Sequence, residues 1–370
     1  MDGEWIETTE ALGEWVANIG AGPLALDTEA DSFHHYREKV CLVQLSSGGR
    51  HALVDPLAGV ELTPLAAPLA DQALRKILHG ADYDVRLLGR DFGIAVSGLS
   101  DTMIAARLTG EPAFGLAALL AKHLGVTLDK SHQRADWSKR PLSVPMRAYA
   151  IDDTRHLPAL AAILDDRLAA LGRASWAEEE YARLSGVRWR ERPAEDPESF
   201  RRTKGSKNLD RAALAVLREV WLWRDGTARR RDRPPFMVLR DETLVALAKS
   251  PPHSLGELAK VSGVPESLVR SPAAHDVVEA ARRGIACPEA ERPEIRVEVR
   301  EKLAPAVESR VARMKERRDA IARDLALDPT TIASRGVLEE MARRWEDGED
   351  PWSVPELRLW QIGLLRPALT

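Results

Sequence analysis

Three short apolar runs, GPLALDT (22–28), KVCLVQLSS (39–47) and RHALVDP (50–56), follow one another closely, and this spacing constrains the fold more than any other feature. Runs of this length, separated by turn residues, are strand signals, and connections too short for a crossover helix make neighbouring strands antiparallel. LRKILHG (74–80) is a fourth strand candidate. Beyond it the period changes. YDVRLLGRDFG (83–93), DTMIAARLTG (101–110) and FGLAALLAKHLG (114–125) carry apolar residues at helical spacing and end on glycine, a common helix stop. One long helix is expected from Val144 to Leu171. A meander followed by βα units implies an α/β domain, a mixed sheet with flanking helices.

The strand signal ends near residue 176. The segment 178–209 is charged and broken by prolines, and reads as a bridging helix followed by a linker. From there the pattern is helical, and a proline-rich break at ACPEAERPEI (286–295) divides it into two similar lengths. Both lengths place an Arg-Asp pair (Arg231-Asp232, Arg318-Asp319) and then a capping acid (Asp241, Asp328) between apolar helices. This weak repeat suggests two small all-α domains. At 370 residues the chain exceeds what one core usually organises.

Net charge is −4, from 53 Lys and Arg against 57 Asp and Glu, so there is no bulk affinity for polyanions and a nucleic-acid surface must be a local patch. The two cysteines, Cys41 and Cys287, argue against a disulfide framework or a thiolate zinc site. The N-terminus MDGEWIETTEALGEWV lacks the basic start and apolar core of a signal peptide, and no apolar segment is long enough to span a bilayer. The expected setting is a reducing cytoplasm, with no membrane partner.

The chemistry lies in the acids. Asp27 and Glu29 stand two apart at the end of a strand-like run, so their carboxylates share a face. Crowding two anions is unfavourable unless protons or a cation compensate; alone, however, the pair also reads as a solvated turn. In HGADYD (79–84), Asp82 and Asp84 fall in the first turn of a helix, where either could be a cap. In YAIDDTRHL (149–157), Tyr149 and Asp153 are four apart and share a helix face, while Asp152 is turned away. Acids from a strand end, a helix start and a late helix could converge on one spot. Oxygen ligands without His or Cys suit Mg²⁺ or Mn²⁺, and two such ions can clamp a scissile phosphate.

The blocks LALDTEADSFHHYREKVCLVQLSS, LHGADYDVRLLGRDFG, SDTMIAARLTG and ADWSKRPLSVPMRAYAIDDTRHL, in this order, resemble the exonuclease domain of the ribonuclease D family and of the related nuclear-exosome exonucleases. These belong to the DEDD superfamily, with an RNase H-like fold. The resemblance implies a metal-dependent 3′–5′ exoribonuclease that releases nucleoside 5′-monophosphates from the 3′ ends of transfer RNA or other small stable RNA precursors. It implies Asp27, Glu29, Asp84 and Asp153 as ligands of two divalent cations, Mg²⁺ or Mn²⁺. Asp84 rather than Asp82 matches the second motif, and Tyr149 places the chain in the tyrosine subgroup (DEDDy), orienting the attacking water. Asp27 can bridge both ions; Glu29 and Asp153 would complete one site, and Asp84 would serve the other through water.

The same resemblance draws attention to the Q-x-x-x-W-x-x-R-P-L block, here Gln133, Trp137, Arg140, Pro141 and Leu142, which either contacts RNA or packs the loop onto the domain. His79 is a candidate for contact with the 3′-terminal nucleotide. Gln44, on the second strand, has the alternation of an inward-facing polar group near the metals. The helical lengths resemble HRDC domains, and Arg229, Arg230 and Arg231 in the first would form a phosphate-contacting patch. The expected organisation is an exonuclease domain with linker helix over 1–205, a first HRDC domain over 206–290 and an HRDC-like domain over 291–370. The expected partner is RNA, without an obligate protein partner, and the chain is expected to be a monomer. A DNA exonuclease and a non-catalytic RNA-binding scaffold are the rival readings.

Overall fold

The structure, a computed structural model, describes residues 3–129, 131–189, 196, 198–296 and 303–369. Its strands are β1 (Glu4–Ile6), β2 (Leu24–Ala30), β3 (Val40–Ser47), β4 (Arg50–Val54), β5 (Lys76–Leu78) and β6 (Leu99–Asp101). They form one mixed sheet in the order β1-β4-β3-β2-β5-β6. The expected meander β2-β3-β4 is antiparallel, whereas β1 joins β4, and β5 and β6 continue from β2, in parallel. β1 and β6, three residues each, are too short to leave an alternating pattern in the sequence.

The accompanying helices are α1 (Thr9–Ala17), α2 (Thr63–Ala70), α3 (Asp82–Phe92), α4 (Thr102–Leu108), α5 (Leu116–Leu124), α6 (Val144–Arg155), α7 (Leu157–Ala170) and α8 (Ala174–Ser185). Strand alternation sends Leu24, Leu26, Val43 and Leu45 into one core with Leu12, Trp15, Leu65, Leu69 and Leu88 of α1 to α3. The opposite face carries Leu42 and Leu53 against Ala150 and Ile151 of α6, and Ala25 and Ile77 against Leu157 and Ala161 of α7. Asp27 and Glu29 share this second face. The single helix expected from 144 to 171 is two, parted at His156. Pro158, in the first turn of α7, has no N–H for the carbonyl one turn earlier, so the ladder stops there.

The chain divides into two compact units. The first holds the described residues of Met1–Ala30, Lys39–Trp189 and Glu301–Thr370; the second holds those of Asp31–Glu38 and Arg190–Arg300. Of the charged bridging stretch, residues 190–195 and 197 lie outside the described residues. In the second unit, α9 (Arg211–Arg231) contributes Leu217 and Val220 to a core with Leu244, Leu247, Val277 and Ala281. The Asp31–Glu38 loop belongs to this unit: Tyr36 Oη donates to Asp225 (2.8 Å), and Asp232 accepts the Tyr36 N–H (3.1 Å) and holds His35 Nδ1 at 2.7 Å.

In the first unit the helices Pro305–Asp324, Arg335–Glu346 and Leu359–Leu369 enclose a core of their own. They are joined to α8 by Trp360, which stacks on Trp176 with ring centroids 4.7 Å apart, and by Glu179, which accepts the Leu359 and Trp360 N–H groups. Arg173, buried, donates to the carbonyls of Leu108 (2.7 Å) and Leu325 (2.8 Å). Next to this clamp Gly110 adopts φ +78°, and a Cβ there would meet the Ala326 carbonyl oxygen at 2.4 Å. Among the described residues no helix is long and apolar enough to cross a membrane. Gly110→Ala is expected to lower stability by about 1–3 kcal/mol, from positive-φ strain and the backbone clash; urea unfolding of the full chain measures it, and an unchanged midpoint would contradict this packing.

Candidate active site

Asp27 and Glu29 project from β2 beside Asp153 of α6, and one carboxylate oxygen of each of the three lies within 4.8 Å of the others. Lining atoms exclude water from these half-buried groups, and each carboxylate repels the rest. Burial first, then Asp84, Asp153 and Glu29, push the Asp27 carboxyl well above the usual range. Burial, then Asp153 and Asp84, raise Glu29 to about 9. Asp153 is raised to about 7, by burial above all, with the Tyr149 hydroxyl partly offsetting this through a hydrogen bond. Such a cluster keeps its protons unless a cation replaces them. An all-oxygen donor set in this arrangement fits a hard divalent cation.

Asp84 stands outside that trio. It lies buried in the first turn of α3, where its Oδ1 accepts the Thr28 hydroxyl (2.5 Å) and the Thr28 N–H (3.1 Å). Burial raises its carboxyl to about 6 against the lowering effect of those two bonds. Asp82 instead faces outward, paired with Arg86 of the same helix at 2.7 Å. Thr28 thus holds Asp84 in place, a contact that the sequence pattern did not expose. Its side chain points away from Asp27 and Glu29, and nothing local marks it as the anchor of an acid fifty-six residues away.

Tyr149 lies one turn before Asp153 and donates to it. Burial and the surrounding acids hold its phenol far above the ordinary range, so it remains protonated. Its ring rests on Trp137 (centroids 5.9 Å apart) and meets His132 edge-on at 6.0 Å. A cavity of about 410 Å³ opens onto Asp27, Glu29, Tyr149 and Asp153, with Met103, Gly115–Ala118, His79 and Gln133 on its walls.

His79 is held by Thr102, whose Oγ1 lies 2.9 Å from Nδ1. The single Thr102 hydroxyl proton goes to the Leu78 carbonyl, so Nδ1–H donates to Thr102 and Nε2 is left as an acceptor. The turn between His79 and α3 is pinned by Asp101, the N-cap of α4. Its carboxylate accepts four backbone N–H groups, from Gly80 (3.0 Å), Ala81 (2.8 Å), Met103 (2.8 Å) and Ile104 (3.2 Å). Asp101 was legible only as a helix start; its hold on the neighbouring strand end requires the sheet order.

Two residues expected among the RNA contacts are otherwise engaged. Trp137 is 1% exposed, buried under Tyr149 with Leu42, Leu53 and Ala150. A side chain without accessible surface can support a ring but cannot stack on a base. Arg140 has all five guanidinium donors committed: Nε and Nη2 to Asp55 (2.5 and 2.6 Å), Nη2 also to the Cys41 carbonyl, and Nη1 to the carbonyls of Trp137 and Lys139. None is left for phosphate. Both residues secure the loop onto the sheet. Gln133 is exposed at the cavity. Arg229, Arg230 and Arg231 lie in the second unit, exposed on the last turn of α9, with Arg229 against the Tyr36 ring at 5.7 Å.

Sheet order and acid cluster together fit a 3′–5′ exonuclease domain. Residues 3–169 match the 3′–5′ exonuclease family model, and residues 213–278 match the HRDC domain model. The ribonuclease D of Pseudomonas paraeruginosa is 32% identical over 370 residues, covering 99% of this chain and 96% of its own. The crystal structure of Escherichia coli RNase D, described as an exoribonuclease involved in structured RNA processing, superposes with a TM-score of 0.73 at 29% identity over 100% of this chain and 98% of its own. The catalytic core of RRP6 from Trypanosoma brucei superposes with a TM-score of 0.66 at 30% identity, over 76% of this chain and 79% of its own. The chain belongs to the ribonuclease D family and is a 3′–5′ exoribonuclease, with an RNase H-like exonuclease domain followed by an HRDC domain.

The raised carboxyls have a measurable consequence. Glu29 ionises near 4.3 in an unfolded chain but near 9 when folded without metal, so folding takes up a proton between these values. The linkage lowers the stability of the metal-free fold as pH climbs through that window. Metal-free Glu29→Gln is expected to melt higher than wild type, by a margin that grows from pH 5 to pH 9; a margin independent of pH would remove the crowding. Arg140→Ala is expected to cost about 2–4 kcal/mol, since it strands the buried Asp55 carboxylate. The salt dependence of RNA binding should be the same as in wild type, and a slope reduced by about one would return Arg140 to the phosphate contacts.

Proposed function

We propose that the chain trims RNA from the 3′ end, releasing nucleoside 5′-monophosphates, with two divalent cations, Mg²⁺ or Mn²⁺, held by Asp27, Glu29, Asp153 and Asp84. The observation that carries this reading is the trio of mutually repelling carboxylates beside a protonated tyrosine in an open cavity. Bound there, the ions supply water activation and neutralise charge on the scissile phosphate. The protein groups do the positioning. Asp27, central among the acids, is suited to touch both ions. Tyr149 is too weak an acid to act as a base at neutral pH, and its hydroxyl can orient the attacking water while Asp153 fixes its direction. The His79 imidazole, with Nε2 as an acceptor, suits a hydroxyl donor of the terminal ribose. Gln133 stands where the last nucleotides would enter.

In the second unit, exposed Arg229, Arg230 and Arg231 are suited to RNA phosphates. Transfer RNA and other small stable RNA precursors are the proposed substrates. The final helices are proposed as a second HRDC-like repeat. In support, buried Arg318 donates to the Ala333 carbonyl as buried Arg224 does to that of Leu239, across a short helix that opens with proline in both segments. Each long helix is followed by a residue at positive φ, Asp232 and Ala326, at the same distance from its arginine.

Asp27→Asn and Asp153→Asn are expected to abolish degradation of a 3′-labelled RNA in Mg²⁺ or Mn²⁺ with RNA affinity within about threefold of wild type; Tyr149→Phe is expected to slow single turnover about 10²-fold while keeping Mn²⁺ affinity. Wild-type rates in either Asn variant would refute the ligand assignment. Matched RNA and DNA oligonucleotides in the same assay determine the preferred sugar.

A further inference from the structure

We propose that Gln44 is a positioning residue of the metal site, donating its amide to the Asp27 carboxylate when the site is loaded. The proposal rests on the metal-site reading above and extends it to a residue that bears no charge.

Gln44 lies in the middle of β3, 0% exposed, and neither Oε1 nor Nε2 has a hydrogen-bond partner. A buried primary amide left unpaired costs stability, and a purely structural core position would be better filled by an apolar side chain of the same shape. The strand register limits what the amide can serve. Gln44 pairs with Asp27 on β2 and with Leu53 on β4. Paired residues on antiparallel strands share a face, so its side chain is flanked by one carboxylate and one apolar group. Along β3 its same-face neighbours are Leu42 and Ser46. Leu42 is apolar, and the Ser46 hydroxyl is already engaged with His51 (2.8 Å) and Thr154 (2.7 Å). From α6 above come Ala150, without a polar side chain, and Thr154, occupied by Ser46 and the Ile151 carbonyl. Of the groups on this face, the acids of β2 are those left to receive the amide, and Asp27 is directly opposite.

A carboxylate engaged with cations keeps lone pairs for an N–H donor, and a donor held in a rigid sheet selects one orientation of that carboxylate. Loading the site therefore gives the amide a charged acceptor directly across the strand pair.

The test uses the full-length, metal-free chain, with Mn²⁺ alone as the probe. Free Mn²⁺ is followed by electron paramagnetic resonance, and thermal unfolding is followed in parallel. Gln44→Met, close in shape but without the amide, is expected to bind Mn²⁺ about tenfold more weakly than wild type and to melt, without metal, at the same or a higher temperature. Gln44→Leu serves in its place if the methionine variant does not fold. Equal Mn²⁺ affinity in a folded variant overturns the proposal and leaves the metal site standing. Failure of wild type itself to bind Mn²⁺ overturns the metal-site reading and this proposal with it.

Discussion

The centre of the molecule is organised around one unfavourable interaction, the mutual repulsion of carboxylates that the fold refuses to separate. Asp27 and Glu29 are fixed two apart on the central strand β2, flanked by β3 and β5 and covered by α6. Asp153 is brought to them by the same helix that buries Ala150 and Ile151. Neither strand nor helix can yield, since both are held by apolar packing on the two faces of the sheet. The acids therefore respond chemically, by keeping protons far above their ordinary range. Divalent cations are the natural replacement for those protons, which makes affinity for metal a consequence of packing.

Holding such a site together requires polar groups to be fully committed elsewhere. Asp101 takes four backbone N–H groups from two strand ends and so fixes the turn from which both His79 and α3 depart. Thr28 gives both its donors to Asp84, tying the first turn of α3 to the strand between the other acids. Arg140 spends its guanidinium on Asp55 and three carbonyls to seat the loop that carries Trp137 beneath Tyr149. These are positioning residues, and what distinguishes them from the cavity-lining residues is saturation: their donors and acceptors are used within the protein.

Much of this was legible in the chain. Short apolar runs separated by turn residues marked β2, β3 and β4, and helical spacing followed by glycine marked α3 and α5. The order D-x-E, D, Y-x-x-x-D named the acids whose approach the structure measures. What could not be read falls into two kinds. The three-residue strands β1 and β6 carry too little pattern to be seen, and apolar spacing that runs on past Pro158 outweighed the helix boundary which that proline marks. Partner choice was the other. Trp137 and Arg140 look like nucleic-acid contacts because aromatic and basic residues in a loop usually are, and only tertiary contacts reveal that one is buried and the other saturated. Thr28 was obscured for the same reason, as its significance depends on what stands on a neighbouring helix.

The two helical segments carry the same reasoning beyond the site. Each ends its long helix in a residue of left-handed backbone, Asp232 at φ 45° and Ala326 at φ 52°, although neither is glycine. Aspartate tolerates this region because its short polar side chain can bond locally, and at Asp232 that side chain holds the Tyr36 N–H and the His35 ring. Alanine has no such compensation, and the conformation costs it on the order of 1 kcal/mol. At Ala326 the opposing gain is backbone packing: the carbonyl approaches Gly110 where any side chain would clash, and Arg173 binds the preceding carbonyl of Leu325. One corner geometry thus serves two attachments, through a side chain in the first segment and through the bare backbone in the second.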